Sequence, residues 1–431
     1  MADGSRQLRR RIASLGLRIR ALRGLRALVA LPARADIAPR QWSVLETQLS
    51  VVVERLLSRL KRAARGYLAS GGAPGARRRL NARLGALELA LSRAYLFFDT
   101  YADVLTQRAT PALAPLLAGC DRLASDALMR DHPALELVEP PLVYCDRGFG
   151  ARIIREDVRF PGAAANPMPL IQIPYSRLQE KYNLTSIHHE AGHQALRRTG
   201  LQAAIPAALR AALSAAGAPA PLRDFFALWS SEIGPDFWAF CATGLAQPAA
   251  TREILALPPA HVLHVSSADP HPPPWLRVLL GFEWARQAFG QGPWDAWERE
   301  WERDYPLDLA PAPARRLLSA GRGLLPAVAR TLLGARFRVL GGREIPALFD
   351  LDALAPARLR AIAATARRGR LDLRGLSPSV QLAVFRIVRE ESGIPEPELD
   401  RVMGDWLTGL GGRTGRHRAA HLRQKGNLHA S

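Results

Sequence analysis

Lysine is almost missing from this chain. Only Lys61, Lys181 and Lys425 occur, so arginine supplies nearly all of the positive charge. A preference that uniform reads as codon bias in a GC-rich genome, because selection for arginine's forked geometry need not reach every surface position. Cysteine is also scarce. Cys120, Cys145 and Cys241 are odd in number and far apart, which excludes a disulfide framework and a CxxC metal knuckle. A reducing cytoplasm is the expected compartment. Long apolar runs are lacking as well. The best candidate, Leu84 to Tyr101, is broken by Glu88, Arg93 and Asp99, short of the roughly 18 apolar residues of a membrane span. The apolar stretch Ala27 to Leu31 is too short for a signal-peptide core. No RNP-like aromatic pattern, zinc knuckle or clear helix-turn-helix is present, which argues against a dedicated nucleic-acid domain.

What is present is apolar mass and positive charge. The 431 residues are 48% hydrophobic, enough for a sizeable core and too much for a disordered polymer. Tryptophans gather in the second half, at Trp229, Trp238, Trp275, Trp284, Trp294, Trp297 and Trp301, where the bulkiest packing is expected. The formal charge of +20 implies either a basic solvated surface or attraction to a polyanion. Such a partner would be nucleic acid, an acidic membrane surface or an acidic protein.

The chain reads as four regions. Residues 1–135 form a basic helical N-terminal region. Arg6 to Arg26 is amphipathic, and Gln41 to Tyr67 and Leu80 to Gln107 carry helical spacing, separated by the GGAPG break at Gly71–Gly75. Residues 136–305 change texture. Leu142–Cys145, Ile153–Phe160 and Leu170–Ile173 look like short strands bounded by proline and glycine. Helical patterns follow over Thr185–Arg198, Leu222–Phe240, Leu276–Phe289 and Asp295–Asp304, with Asn183 or Thr185 as N-cap of the first and Gly200 past its end. Pro306–Pro313 reads as a linker to a helical C-terminal region, 306–410. The tail 411–431 carries five basic residues and no acid and reads as disordered.

The chemistry concentrates in His188-His189-Glu190-Ala191-Gly192-His193. On a helix, His189 and His193 project from one face and can grip one metal ion. Glu190 lies one step round, at the general-base position of an HExxH motif. The alternative is a structural histidine pair on an exposed helix. His188 points about 100° away from His189, so packing or hydrogen bonding suits it better than the metal.

A catalytic metal of this kind needs a third protein ligand. Glu232 and Asp236 form an ExxxD element in an aromatic-rich segment. Glu232 would be the third ligand, and Asp236 would accept the second ring N–H of a metal histidine. The plain alternative is a solvent-facing carboxylate pair. Gly234-Pro235 falls inside this element, and proline tends to start or kink a helix, which leaves the i, i+4 alignment open. Further on, prolines flank His271 in a stiff loop, where an imidazole could stabilise an oxyanion. Arg277 could anchor that loop or pair with a buried carboxylate. His261 and His264 compete for the role of His271.

Taken together, His189–His193, Glu232 with Asp236, and His271-Pro272 through Arg277 resemble the gluzincin metallopeptidases. The order of elements is closest to the HtpX and CAAX-prenyl-protease type, over residues 140–290. The resemblance implies one catalytic zinc on His189, His193 and Glu232, with Glu190 as the base in peptide-bond hydrolysis. It implies an α+β, predominantly α-helical fold, in which a small sheet lies over the HExxH helix of a zincin-like domain flanked by helical extensions. Leu170, Ile171, Gln172 and Ile173 would then be the sheet edge, to which a peptide substrate adds as a strand. The relatives are usually membrane-embedded, and this chain shows no spanning segment, so their substrates do not transfer. Two other readings stand beside this one. One is a non-catalytic zincin-like binding protein. The other is a protein associated with nucleic acid or an anionic membrane surface through its arginine-rich N-terminus and tail, with an accessory metal site.

Overall fold

The computed structural model describes residues 2–32, 37–71, 73–160, 165–365 and 371–412. The basic tail therefore lies, beyond Gly412, outside the described residues. The protein is predominantly α-helical with one three-stranded sheet. The chain divides into two compact units. One comprises Met1–Ala118, Glu139–Cys145 and Ile154–Leu170. The other comprises Gly119–Val138, Asp146–Ile153 and Ile171–Ser431.

In the first unit, helices Pro39–Ala69 and Ala76–Thr106 form a hairpin. The turn falls within the GGAPG break, where Gly75 takes φ +78°, a conformation that glycine adopts without a Cβ clash. Leu45, Leu49, Val53, Leu56 and Leu60 line one buried face, and Leu80, Leu84, Leu87 and Leu91 line the other. Helix Ala2–Ala21 packs against the hairpin, burying Leu8, Leu15 and Ile19. Each such side chain contributes about 1.5–3 kcal/mol on burial.

The sheet comprises β1 (Leu142–Asp146), β2 (Arg152–Ile154) and β3 (Leu170–Pro174), in the order β1-β3-β2. Two expectations are corrected here. The strand expected over Ile153–Phe160 stops at Ile154. The charged Arg155-Glu156-Asp157 follows, and Asp157 turns into the left-handed region at φ +72°, which a ladder does not accommodate. Second, Leu170–Ile173 is the central strand, not the edge. It has a neighbouring strand on each side, so it is not a free edge to which a peptide adds. β1 is closed in another way. The Gln107 side chain donates to Cys145 O at 2.7 Å and accepts from Cys145 N at 2.8 Å, and Arg108 donates to Val143 O at 2.9 Å. A side-chain amide thus imitates a neighbouring strand.

In the second unit, the motif helix Thr185–Thr199 packs against the long helix Ala220–Thr243. Gly200, at φ +80°, ends the motif helix as expected. Its N-cap, however, is Leu184 with no side-chain cap. Asn183 is engaged elsewhere: its amide donates to Glu253 at 3.2 Å and its carbonyl accepts from Arg386 at 3.0 Å.

Pro235 does not interrupt its helix, which runs on to Thr243. Gly234-Pro235 is instead where the two helices meet most closely. A Cβ on Gly192 would lie 2.9 Å from Pro235 Cα and 3.1 Å from Pro235 O, and one on Gly234 would meet the Leu196 side chain. Small residues on both helices permit the backbone approach that brings Glu232 to the histidines.

Helix Pro378–Glu391 belongs to the same unit. Its Ser379 hydroxyl lies 2.9 Å from His188 Nε2, and Asp126 accepts hydrogen bonds from both the amide and the hydroxyl of Ser379. His188 is thus a packed, hydrogen-bonded residue beneath the motif helix. Burial lowers its pKa, favouring the neutral ring.

Candidate metal centre

His189, His193 and Glu232 come together, with one ligand atom from each within 4.8 Å of the others. Helix periodicity places the two histidines one turn apart on the buried face, their rings 4.9 Å apart at 89°. Glu232 arrives from the crossing helix. Its Oε2 lies 3.3 Å from His189 Nε2, and its Oε1 lies 3.7 Å from His193 Nε2. Nitrogen and oxygen donors about 2.0–2.2 Å from one tetrahedral ion stand about 3.3–3.6 Å apart. The spacing therefore fits a single ion, and two imidazoles with a carboxylate suit a divalent transition metal.

Asp236 organises this group. Its Oδ1 accepts from His189 Nδ1 at 2.8 Å, which turns Nε2 toward Glu232 as the ring nitrogen that would meet an ion. Arg277 grips the same carboxylate through Nε at 2.6 Å and Nη2 at 2.9 Å, a forked contact that fixes its plane. Gln247 Nε2 adds a third donor at 3.2 Å. Asp236, Arg277 and His189 thus form one buried chain, and Arg277 takes the second of its two expected roles, pairing with a buried carboxylate.

The field at the centre is negative. Burial opposes a charged His189, yet Asp236 and Glu232 hold its pKa up to about 10. Burial likewise opposes ionised Glu232, but the His189 hydrogen bond and the nearby His193 and Arg277 bring it down to about 2. Asp236 is held well below the carboxylate range, burial being outweighed by Arg277 and His189. A site that favours a cation on His189 this strongly also favours a metal ion in place of the proton. Glu190 differs from the other two carboxyls. Burial pushes it up to about 7, with His189 opposing and Glu232 adding to the rise.

His271 stands at the exposed side of the centre. Its Nε2 is 3.6 Å from Glu232 Oε2. Asp269 braces it, accepting from the His271 amide at 2.9 Å and meeting Nδ1 at 2.7 Å. His261 and His264 are exposed and do not belong to the metal-ligand group.

Three contributors escaped the sequence reading. Asp269, two residues before His271, carries the turn-forming signature of an aspartate that bonds its own backbone two residues on, and could have been found. Gln247 and Gly192 carry no such signal, because their roles arise from a helix crossing. The chain matches no known protein family, no curated protein and no solved structure.

Proposed function

We propose that the protein is a zinc-dependent metallopeptidase of the gluzincin type, with a zincin-like catalytic region built on the two crossing helices. The carrying observation is the convergence of His189, His193 and Glu232 on one point, with His189 oriented by Asp236 and Arg277. These three residues would hold the ion. When bound, zinc supplies Lewis acidity toward the scissile carbonyl and acidifies water.

The remaining work falls to this chain's side chains. Glu190 takes a proton from the attacking water and delivers it to the leaving amine. A carboxylate in this position can both accept and return a proton. Asp236 keeps the Nδ1 proton on His189, and Arg277 and Gln247 keep Asp236 in place. His271, held by Asp269 and open to solvent, donates to the carbonyl oxygen as negative charge develops there.

The test pairs elemental analysis with proteolysis. Purified protein is expected to hold near-stoichiometric zinc, lost in His193→Ala and Glu232→Ala. Casein cleavage is expected to be lost in Glu190→Gln with zinc retained. Well-folded protein that takes up no zinc would overturn the metal site. Zinc-loaded protein whose Glu190→Gln variant acts like wild type would overturn the assignment of the base.

A further inference from the structure

The first unit has an end that the metal centre does not use. Helix Ala2–Ala21 runs antiparallel to Pro39–Ala69. Arg26 meets Glu46, Arg23 meets Glu54, and Gly16 faces Leu60. Its first turns therefore lie level with the hairpin turn, where Arg11 reaches Asn81. All three helices thus contribute to this end.

Charge is segregated along the bundle. Away from the turn, Glu46, Glu54 and Glu88 pair with Arg26, Arg23 and Arg18. On the hairpin the acids stop toward the turn. Between Glu54 and Glu88 the chain carries nine basic residues and no acidic one. Arg62, Arg65, Arg77, Arg78 and Arg79 are all exposed there, and Arg9 and Arg10 add to them from the first helix. Clustered like charge at one end costs folding stability through self-repulsion.

The turn itself is uncharged and mostly apolar in sequence. From Leu68 to Ala76 the residues are Leu, Ala, Ser, Gly and Pro. Leu68 is 77% exposed, the most exposed large hydrophobic among the described residues. An apolar prow with an arginine collar behind it matches the layering of an anionic bilayer surface. The prow fits the headgroup–acyl boundary and the guanidinium groups fit the phosphates. A nucleic-acid duplex would use the collar but would leave Leu68 without a role.

We propose that Leu68, at the hairpin turn, and the arginine collar behind it dock this protein onto anionic lipid bilayers. The docking is peripheral, driven jointly by charge and by insertion of Leu68, and it does not depend on the metal-site reading.

The experiment is co-flotation of the full-length chain with vesicles of phosphatidylcholine alone, and of phosphatidylcholine and phosphatidylglycerol in equal parts. A fluorescent DNA duplex serves as the competing ligand. Binding is expected only to the anionic vesicles, weakening as salt rises. Arg77→Ser/Arg78→Ser/Arg79→Ser is expected to lower partitioning roughly a hundredfold, at about fivefold per charge. Leu68→Ser is expected to lower it roughly tenfold through lost apolar burial. Both changes are at exposed positions, and unchanged circular dichroism and thermal midpoints confirm that the fold persists. Failure to bind anionic vesicles overturns the proposal. So does vesicle binding untouched by either variant. A DNA complex that is tighter than vesicle binding and indifferent to Leu68→Ser also overturns it, and assigns the collar to nucleic acid.

Discussion

At the scale of single residues, Asp236 carries the most consequence. It accepts from His189, Arg277 and Gln247 at once, and it is the main reason the His189 ring stays protonated up to about pH 10 against the pull of burial. A metal must displace that proton. Below pH 10 each binding event therefore releases one proton from His189, and apparent affinity is expected to rise roughly tenfold per pH unit through the neutral range. Asp236→Asn removes the charge and swaps one acceptor oxygen for a donor. It is expected to lower zinc affinity about 10–100-fold at pH 8, and to flatten the pH slope because His189 then loses its proton earlier. Competition with a chromophoric chelator across pH reads both effects. An unchanged slope would mean that Asp236 does not set the protonation of His189. The spacing of Glu232 and Asp236 made this pair legible in the sequence. The partners that complete it, Gln247 and the fork of Arg277, were not equally visible, because only the fold decides which carboxylate an arginine meets.

At the scale of secondary-structure elements, the crossing that builds the site is where Gly192 lies on Pro235. In the sequence, Gly234-Pro235 left the i, i+4 alignment of Glu232 and Asp236 open. In the folded protein it is the flat surface that lets two helices approach. Local propensity reads a proline by its missing N–H and cannot see that its neighbour across the crossing is a glycine. The two glycines of this crossing should respond differently to a methyl group. On Gly192 it would strike the backbone of Pro235, which cannot move aside, whereas on Gly234 it would meet the mobile ends of Leu196 and Ile205. Gly192→Ala is therefore expected to cost about 1–3 kcal/mol in overpacking, and to weaken zinc binding by moving Glu232 away from the histidines. Gly234→Ala should cost less and leave the metal in place. Thermal unfolding of the chelated proteins, with zinc titration, separates the two. Equal losses in both would show that the crossing does not set the site.

A second contact between elements sits beneath the motif helix. Arg386 is only 2% exposed, and Glu253, Asn183 and Glu390 surround its guanidinium. Burial tends to raise the Glu253 pKa, but Arg386, Arg389 and Asn183 bring it below the ordinary carboxyl value. A depressed folded pKa means the unfolded chain binds more protons on acidification. The stability Glu253 contributes is thus fully present above pH 4.5 and is lost as pH falls through its lowered folded value. Glu253→Gln is expected to destabilise by roughly 3 kcal/mol at neutral pH, leaving a buried arginine undercompensated. The gap from wild type should close at acid pH. Urea unfolding at pH 7 and near pH 3.5 checks the sign. A gap that widens in acid would refute it.

At the scale of the whole chain, composition was informative about class and silent about assembly. Hydrophobic periodicity showed the helices, and short apolar runs bounded by proline and glycine located two of the strands almost to the residue. Neither could show that Leu170–Pro174 is the middle strand, because a short buried run reads the same at the centre of a sheet as against another layer. Nor could periodicity place Ser379 against His188, since a helix pattern shows which face is apolar and not what covers it. The described helices of 312–411 lie in the same unit as the motif helix. Among the described residues no helix is long and apolar enough to cross a membrane.

That arrangement makes metal binding a matter of folding for the whole unit. An ion held by His189, His193 and Glu232 would join two helices that otherwise meet at that point through packing and the contacts of His189 with Asp236 and Glu232. An ion that binds only the folded state raises its stability by about 4 kcal/mol at a thousandfold excess over Kd. Tryptophan emission is the natural readout, because every tryptophan except Trp42 belongs to this unit. Chelation is therefore expected to lower the urea midpoint followed by fluorescence, in wild type and in Glu190→Gln alike, since Glu190 is no ligand. In His193→Ala the chelator should change nothing. If chelation left the wild-type midpoint unmoved, the three side chains would be a hydrogen-bonded cluster without a metal, and their short separations would reflect the His189–Glu232 attraction alone.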